Sequence, residues 1–192
     1  MIDMAAASRG LSIAWRLARL DATAIRDIDG SVESCRRSFQ AAIVAAPLFA
    51  LLVVLRSAEH PLSPDPWRAF FIEGIGYVTG WTAFPLAAWY LTRALGKMQR
   101  YTTYITAYNW ANVLQVAAFV PVSALAASEL APDAIVVLTA LLLTGGVIYY
   151  QFFIARMALD IESLPALGFV AVDLILGLLI DAAETTLHAI GQ

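Results

Sequence analysis

Charge is what this chain has least of. Charged residues make up 14% of it, where soluble domains carry about 25%, so there is too little polar surface to cover a water-exposed globule. A single cysteine, Cys35, excludes an intramolecular disulfide, and a small buried thiol is its expected role. The chain has no nucleophile–base constellation, glycine-rich phosphate loop or haem-type histidine pair within its apolar stretches. No catalysis and no cofactor are therefore expected, and no nucleic-acid partner. A metal site needs three or more converging ligands, and none is expected here. Met1–Gly10 also lacks a continuous apolar run followed by a small-residue cleavage site. The first apolar stretch is thus expected to act as an uncleaved insertion signal.

What is present is apolar. Hydrophobic residues make up 60% of the 192 residues, and the mean hydropathy is +0.73. Five long stretches carry this, at about residues 38–55, 69–91, 101–127, 134–155 and 164–183. Each is long enough to cross a hydrocarbon core about 30 Å thick as a helix. The expected class is an all-α polytopic membrane protein: a cytoplasmic segment, 1–37, followed by a five-helix transmembrane domain, 38–192.

The basic residues give an orientation. Arg9, Arg16, Arg19, Arg26, Arg36 and Arg37 precede the first stretch, Arg93, Lys97 and Arg100 fill the second connection, and Arg156 lies in the fourth. Only Arg56 and Arg68 fall on the other side. With connections this short, the positive-inside rule puts the N-terminus in the cytoplasm and the C-terminus outside. Glu129, Asp133 and Glu184 gather on the outer side.

Ser8–Ile28 reads as one amphipathic helix stopped by Gly30. Leu11, Ala14, Trp15, Leu17, Ala18, Ala22, Ile25 and Ile28 share a face, flanked by Arg9, Arg16, Arg19 and Arg26. That pattern suits a helix lying among lipid headgroups, with anionic lipids as partners of the arginines and Trp15. The alternative is a helix that caps the bundle. Asp21 intrudes on the apolar face, and Asp27 and Asp29 offset part of the charge.

Polar residues at membrane depth are costly and mark candidate sites. Asp173 falls near the centre of the last stretch, level with Asn109 and Asn112 of the third. Tyr101, Tyr104, Tyr108, Asn112 and Gln115 recur at helical spacing on one face. Spans three and five are therefore expected to be neighbours, with Asp173 facing the Asn112 face. This intramembrane cluster is either a lock between helices or a protonatable site on a polar path. Glu73 and Asp181 form a candidate outer acidic pair, extended by Glu184 and by His188, which is expected to be solvated.

Gly76 and Gly80 form a G-x-x-x-G pair in span two, and Ala41, Ala42, Ala45, Ala46 and Ala50 make span one smooth. Close packing of spans one and two follows, or a homodimer through Gly76 and Gly80. Pro47, Pro85 and Pro121 lie inside spans one, two and three, where each removes a helix hydrogen bond. Gly145-Gly146 loosens span four.

From Ile105 onward the chain resembles the bacterial branch of the Yip1 family of small five-span membrane proteins. Ala107-Tyr108-Asn109-Trp110, the Pro121 span, the Gly145-Gly146 span, Arg156 and Leu164–Ile180 carry the resemblance. It implies five spans, a cytoplasmic N-terminus and a protein-binding scaffold or accessory subunit with a membrane-protein partner. The DLYGP-like segment of eukaryotic members is absent, so their link to small GTPases is not implied. Arginine- and alanine-rich usage points to a bacterial inner membrane. The competing expectation is a small transporter or channel with a polar path near Asp173, Asn109 and Asn112.

Overall fold

The computed structural model describes residues 3–59, 65–128 and 130–190. Glu129, expected in the outer acidic group, lies outside the described residues. The described residues form α-helices and short 3-10 turns, with no strand. Four segments are long and apolar enough to cross a membrane: Val32–Ser57, Met98–Ala127, Asp133–Leu159 and Ser163–Ala189.

The N-terminal segment is three pieces rather than one helix. Helix α1 runs Met4–Ala18, a 3-10 turn runs Ala22–Asp27 and helix α2 runs Val32–Ser38. Asp3 starts α1 by accepting hydrogen bonds from the amides of Ala5 and Ala6 at 3.1 and 3.0 Å. The expected helix through Ile28 breaks at Leu20, which is left-handed at φ 63°. The reason lies in Asp21. Its carboxylate caps the 3-10 turn through the Thr23 amide at 2.9 Å, and a side chain that bonds locally competes with helix continuation. Arg16 folds back over the break onto Asp21 at 2.8 Å, Thr23 at 2.9 Å and Asp27. Thr23 and Arg16 together hold the Asp21 carboxyl below the usual aspartate range. The contribution of this knot is complete above the ordinary aspartate pKa and is lost as pH falls through the lowered one.

Four long helices and one more of similar length follow: α3 (Gln40–Glu59), α4 (Pro66–Ala94), α5 (Tyr101–Ala127), α6 (Asp133–Leu159) and α7 (Ser163–Ala189). Helix α4 is the one outside the strongly apolar set; Glu73, its glycines, and its Thr, Trp and Tyr residues dilute its aliphatic content. Asp65 caps it, and Pro66 occupies the first turn, where the missing N–H costs nothing. The three internal prolines sit within continuous helices.

Helix α5 is the hub. Helix α3 lies along it on one side and α6 on another, while α1 and α2 cross its first half. Helix α4 packs chiefly against α7, and α7 against α6. Helix α3 therefore takes α5 as its close neighbour, not α4 as its alanines suggested: Ala41 and Ala45 are fully buried in a cluster with Trp110 and Val113 of α5. Span two meets span one through side chains, chiefly the Phe49 and Tyr77 rings at 4.6 Å. On the outward faces stand large exposed apolar residues, among them Phe70, Leu86, Leu141, Ile175 and Leu178.

Helix α1 is docked through a face that shares Ala14 and Leu17 with the apolar stripe read from the sequence but leaves Trp15 and Ala18 of that stripe exposed. Ala7, Gly10, Ala14 and Leu17 are buried, and the Tyr150 hydroxyl of α6 donates to the Ala14 carbonyl at 2.7 Å. Gly10 lies against the Trp110 indole so closely that any side-chain carbon there would overlap the ring. Gly10→Val should therefore lift α1 from α5 and cost about 1–3 kcal/mol, the usual penalty of overpacking. Limited trypsinolysis at Arg16 and Arg19 should accelerate, and an unchanged cleavage rate with unchanged thermal stability would contradict this docking.

Candidate functional site

From Tyr104 to Ala111 every α5 side chain is buried, whereas beyond Val113 each described one is at least partly exposed. The buried half carries the polar residues singled out in the sequence, and the structure divides them among different neighbours. The Tyr108 hydroxyl donates to Asp173 Oδ1 of α7 at 2.7 Å. Phe84 of α4 lies over the Tyr108 ring at 4.4 Å, and Phe169 meets Tyr104 edge-on at 5.4 Å. Spans three and five thus touch through side chains, as an aromatic collar around one carboxyl group. Their backbones are held apart, since α4 and α6 are the close partners of α7.

Asn109 points elsewhere. Its Nδ2 donates to Ser38 Oγ at 2.9 Å, and that hydroxyl donates to the Cys35 carbonyl at 2.7 Å. Asn109 is fully buried, and its Oδ1 has no hydrogen-bond partner among the described residues. Cys35 is itself buried beside this group.

Asn112 and Gln115 form a third group. Gln151 Nε2 of α6 donates to Asn112 Oδ1 at 3.3 Å and to Gln115 Oε1 at 3.2 Å, a forked amide contact across two helices. Gln115 Nε2 is buried without a partner among the described residues. Asn112 also lies beside the Tyr108 hydroxyl that bonds Asp173, whereas Asn109 turns away to Ser38. Ser38 and Gln151 are the residues that sequence reasoning missed. A lone glutamine inside the apolar run Val147–Ala155 was a readable signal; Ser38 was taken only as the start of a span.

The outer end holds a second group. Glu73 is 9% exposed, with Oε1 at 3.2 Å from His188 Nε2 of α7 and Oε2 at 3.7 Å from Arg56 of α3. His188, expected in solvent, has a side chain only 12% exposed. Burial of Glu73 in a poorly polar wall supplies the reason, because a buried carboxylate recruits a donor. Asp181 is exposed, and the pairing expected for it with Glu73 is taken by His188 and Arg56. Glu184 completes the group by lying over Gly76, whereas Gly80 faces open space. Arg68 donates to the Leu187 carbonyl at 2.7 Å, a further tie between α4 and α7. No cluster of His, Cys, Asp and Glu suited to a metal ion occurs among the described residues.

Of the proposed headgroup contacts, Trp15 is 58% exposed, and Arg9, Arg19 and Arg26 are exposed. Arg16 is occupied by its carboxylates. In comparisons with known proteins, the chain matches no family model, no curated protein and no solved structure.

The two glycines of span two should respond differently. Gly76→Leu displaces Glu184 and separates α4 from α7, lowering thermal stability. Gly80→Leu meets no neighbour and should leave it within about 0.5 kcal/mol. Equal destabilisation by both would overturn this packing; a change in oligomeric state with Gly80→Leu alone would place a second copy on the open face. Tyr108→Phe should cost about 0.6–1.7 kcal/mol, the range of interhelical hydrogen bonds in a membrane, as read by unfolding in detergent.

Proposed function

We propose that the chain is a five-span protein of the bacterial inner membrane, with α4 as the fifth span. It would work as a scaffold or accessory subunit, resembling the bacterial branch of the Yip1 family and acting through binding rather than turnover. The observation that carries this reading is the docked N-terminal segment: α1, the 3-10 turn and α2 close over the end of the bundle where α5 begins. A closed end whose polar groups bond across helices suits a fixed platform better than a conduit.

The distribution of basic residues supports the orientation, with the N-terminus cytoplasmic and the C-terminus periplasmic. Lys97 reaches the Asp160 carbonyl at 2.6 Å, so the connections after α4 and α6 lie at the same end as α1 and α2. Arg56 and Arg68 sit at the other end, with Glu73 and Leu187. On this reading Trp15, Arg19 and Arg26 face the headgroups of anionic cytoplasmic lipids, where each well-placed arginine adds about 1 kcal/mol.

A transporter or channel is the second reading. What favours it is α7, where Asp173, Asp181, Glu184 and His188 recur toward the outer end, leaving Asp173 as the innermost carboxyl. Asp173→Asn in proteoliposomes separates the two. For a scaffold, the wild type shows no proton or solute flux and the variant is less stable. Flux in the wild type that Asp173→Asn abolishes without loss of stability would sink the scaffold. Deleting residues 1–30 should destabilise the bundle, because it strips the cover from Trp110 and Tyr150. A deletion that leaves stability unchanged and weakens only membrane association would make α1 a peripheral anchor.

A further inference from the structure

Between α1, the connection into α2, and α5 lies a cavity of about 460 Å³, within the range of roughly 300–1,000 Å³ typical of small-molecule sites. Its wall is partly apolar, with Ile13, Ile28 and Trp110, and carries charge of both signs: two arginines, Arg9 and Arg37, and three carboxylates, Asp27, Asp29 and Glu33. Most of that charge is already matched. Arg37 bonds Glu33 at 2.9 Å and approaches Asp3 at 3.7 Å, and Asp27 is held by Arg16. Two charges remain. Arg9 forms no ion pair among the described residues. Asp29 accepts only from the amide and hydroxyl of Ser31, at 3.0 and 2.9 Å, and meets no cation among them.

The hydroxyls of Ser31, Ser34, Ser38 and Thr106 complete the polar lining. Ser38 is 1% exposed and ties the cavity to Asn109, whose buried Oδ1 lacks a donor. Arg9 and Asp29 are both exposed, so a ligand of single sign would engage only one of them. The cavity fits a group that brings both charges.

We infer that this cavity binds a phosphoethanolamine-type group, with its phosphate on Arg9 and its primary ammonium on Asp29. An arginine fork matches two phosphate oxygens. A primary ammonium offers three donors, enough for Asp29 and a neighbouring serine. A quaternary ammonium offers none, so a choline group should bind more weakly in the same place. The group could come from an ethanolamine phospholipid or from a soluble phosphodiester such as glycerophosphoethanolamine. This inference rests on the docked position of α1 and not on the choice between scaffold and transporter.

The test uses the full chain. In nanodiscs of equal ethanolamine and choline lipid with a fixed minor share of phosphatidylglycerol, native mass spectrometry reads which lipid stays bound. The wild type should retain ethanolamine lipid over choline lipid. Arg9→Gln should weaken its retention about tenfold, the loss of one charge-assisted contact. Asp29→Asn should erase the preference over choline lipid. Arg100→Gln, an exposed arginine outside the cavity lining, should change neither. In detergent, calorimetric titration with glycerophosphoethanolamine tests the soluble source. Binding there with the same sensitivity to Arg9→Gln and Asp29→Asn, but no lipid retention, assigns the site to the free diester. No ethanolamine preference and no diester binding in the wild type would overturn the inference. So would a preference that survives both variants while circular dichroism and thermal stability show both to be folded.

Discussion

A polar side chain inside a hydrocarbon layer has only other protein groups to bond with, and α5 carries more such side chains than any other apolar helix of this chain. That constraint orders the packing around it. Tyr101 donates to the Pro85 carbonyl of α4 at 3.0 Å, Asn109 to Ser38 of α2, and Tyr108 to Asp173 of α7, while Asn112 and Gln115 share Gln151 of α6. Each bond recruits a different element, so the buried half of α5 is surrounded on all sides. Tyr101, Tyr108, Asn112 and Gln115 share one face of α5, and α4, α6 and α7 all reach that face. Asn109, about 100° round from Tyr108, takes α2 on another side, and the hub position follows from the two together. On α5, Asn109 Oδ1 and Gln115 Nε2 are buried with no partner among the described residues.

The N-terminal segment answers a related demand. In the first half of α5, α1 covers the Trp110 indole, which α3 also meets through Ala41 and Ala45, and it does so with its smallest residues. Small size is what permits the approach: Gly10 on the indole and Ala14 beneath Tyr150 leave no room for a longer side chain. The break at Leu20 is equally necessary. A straight helix to Ile28 would carry Ala24 and Ile25 away from the bundle, whereas the turn brings both into the cluster with Leu17, Tyr104 and Leu159. The same turn delivers Asp29 and Ser31 to the cavity wall.

Length and apolarity were legible from the chain itself, because they are properties of single segments. The helices at 101–127, 133–159 and 163–189 lie within a few residues of the stretches read from hydropathy. The level of Asp173 with Tyr108 was legible too, since depth along a helix is arithmetic. Neighbour choice was not. Alanines in span one and glycines in span two mark surfaces that can approach another helix, but small residues do not say which one. Ala41 and Ala45 found Trp110, and Gly76 found Glu184. The direction of Asn109 was hidden for the same reason: one residue after Tyr108 is a rotation of about 100°, enough to move it from α7 to α2. The break at Leu20 was written in Asp21, read there as a flaw in an apolar face when it is a cap.

The two ends of the bundle are held by different chemistry, and this bears on which end can change shape. Near the α1 end the helices are joined by buried hydrogen bonds and by aromatic rings packed around α5. Near the other end α3, α4 and α7 meet through Arg56, Glu73, His188 and Glu184, with two carboxylates that repel each other relieved by the arginine and the histidine. Arg56 is half-exposed, so its pair with Glu73 is partly screened, whereas the side chains of Glu73 and His188 are each only 12% exposed; core packing of the kind around Tyr104 contributes through many contacts at once. Beyond Val113, α5 is correspondingly less enclosed. From the end bearing Glu73, the Tyr108–Asp173 bond is met before the Tyr104–Phe169 ring contact between the same two helices, so a separation of α4 and α7 from α5 would have to break the Asp173 bond before it reached the aromatic packing.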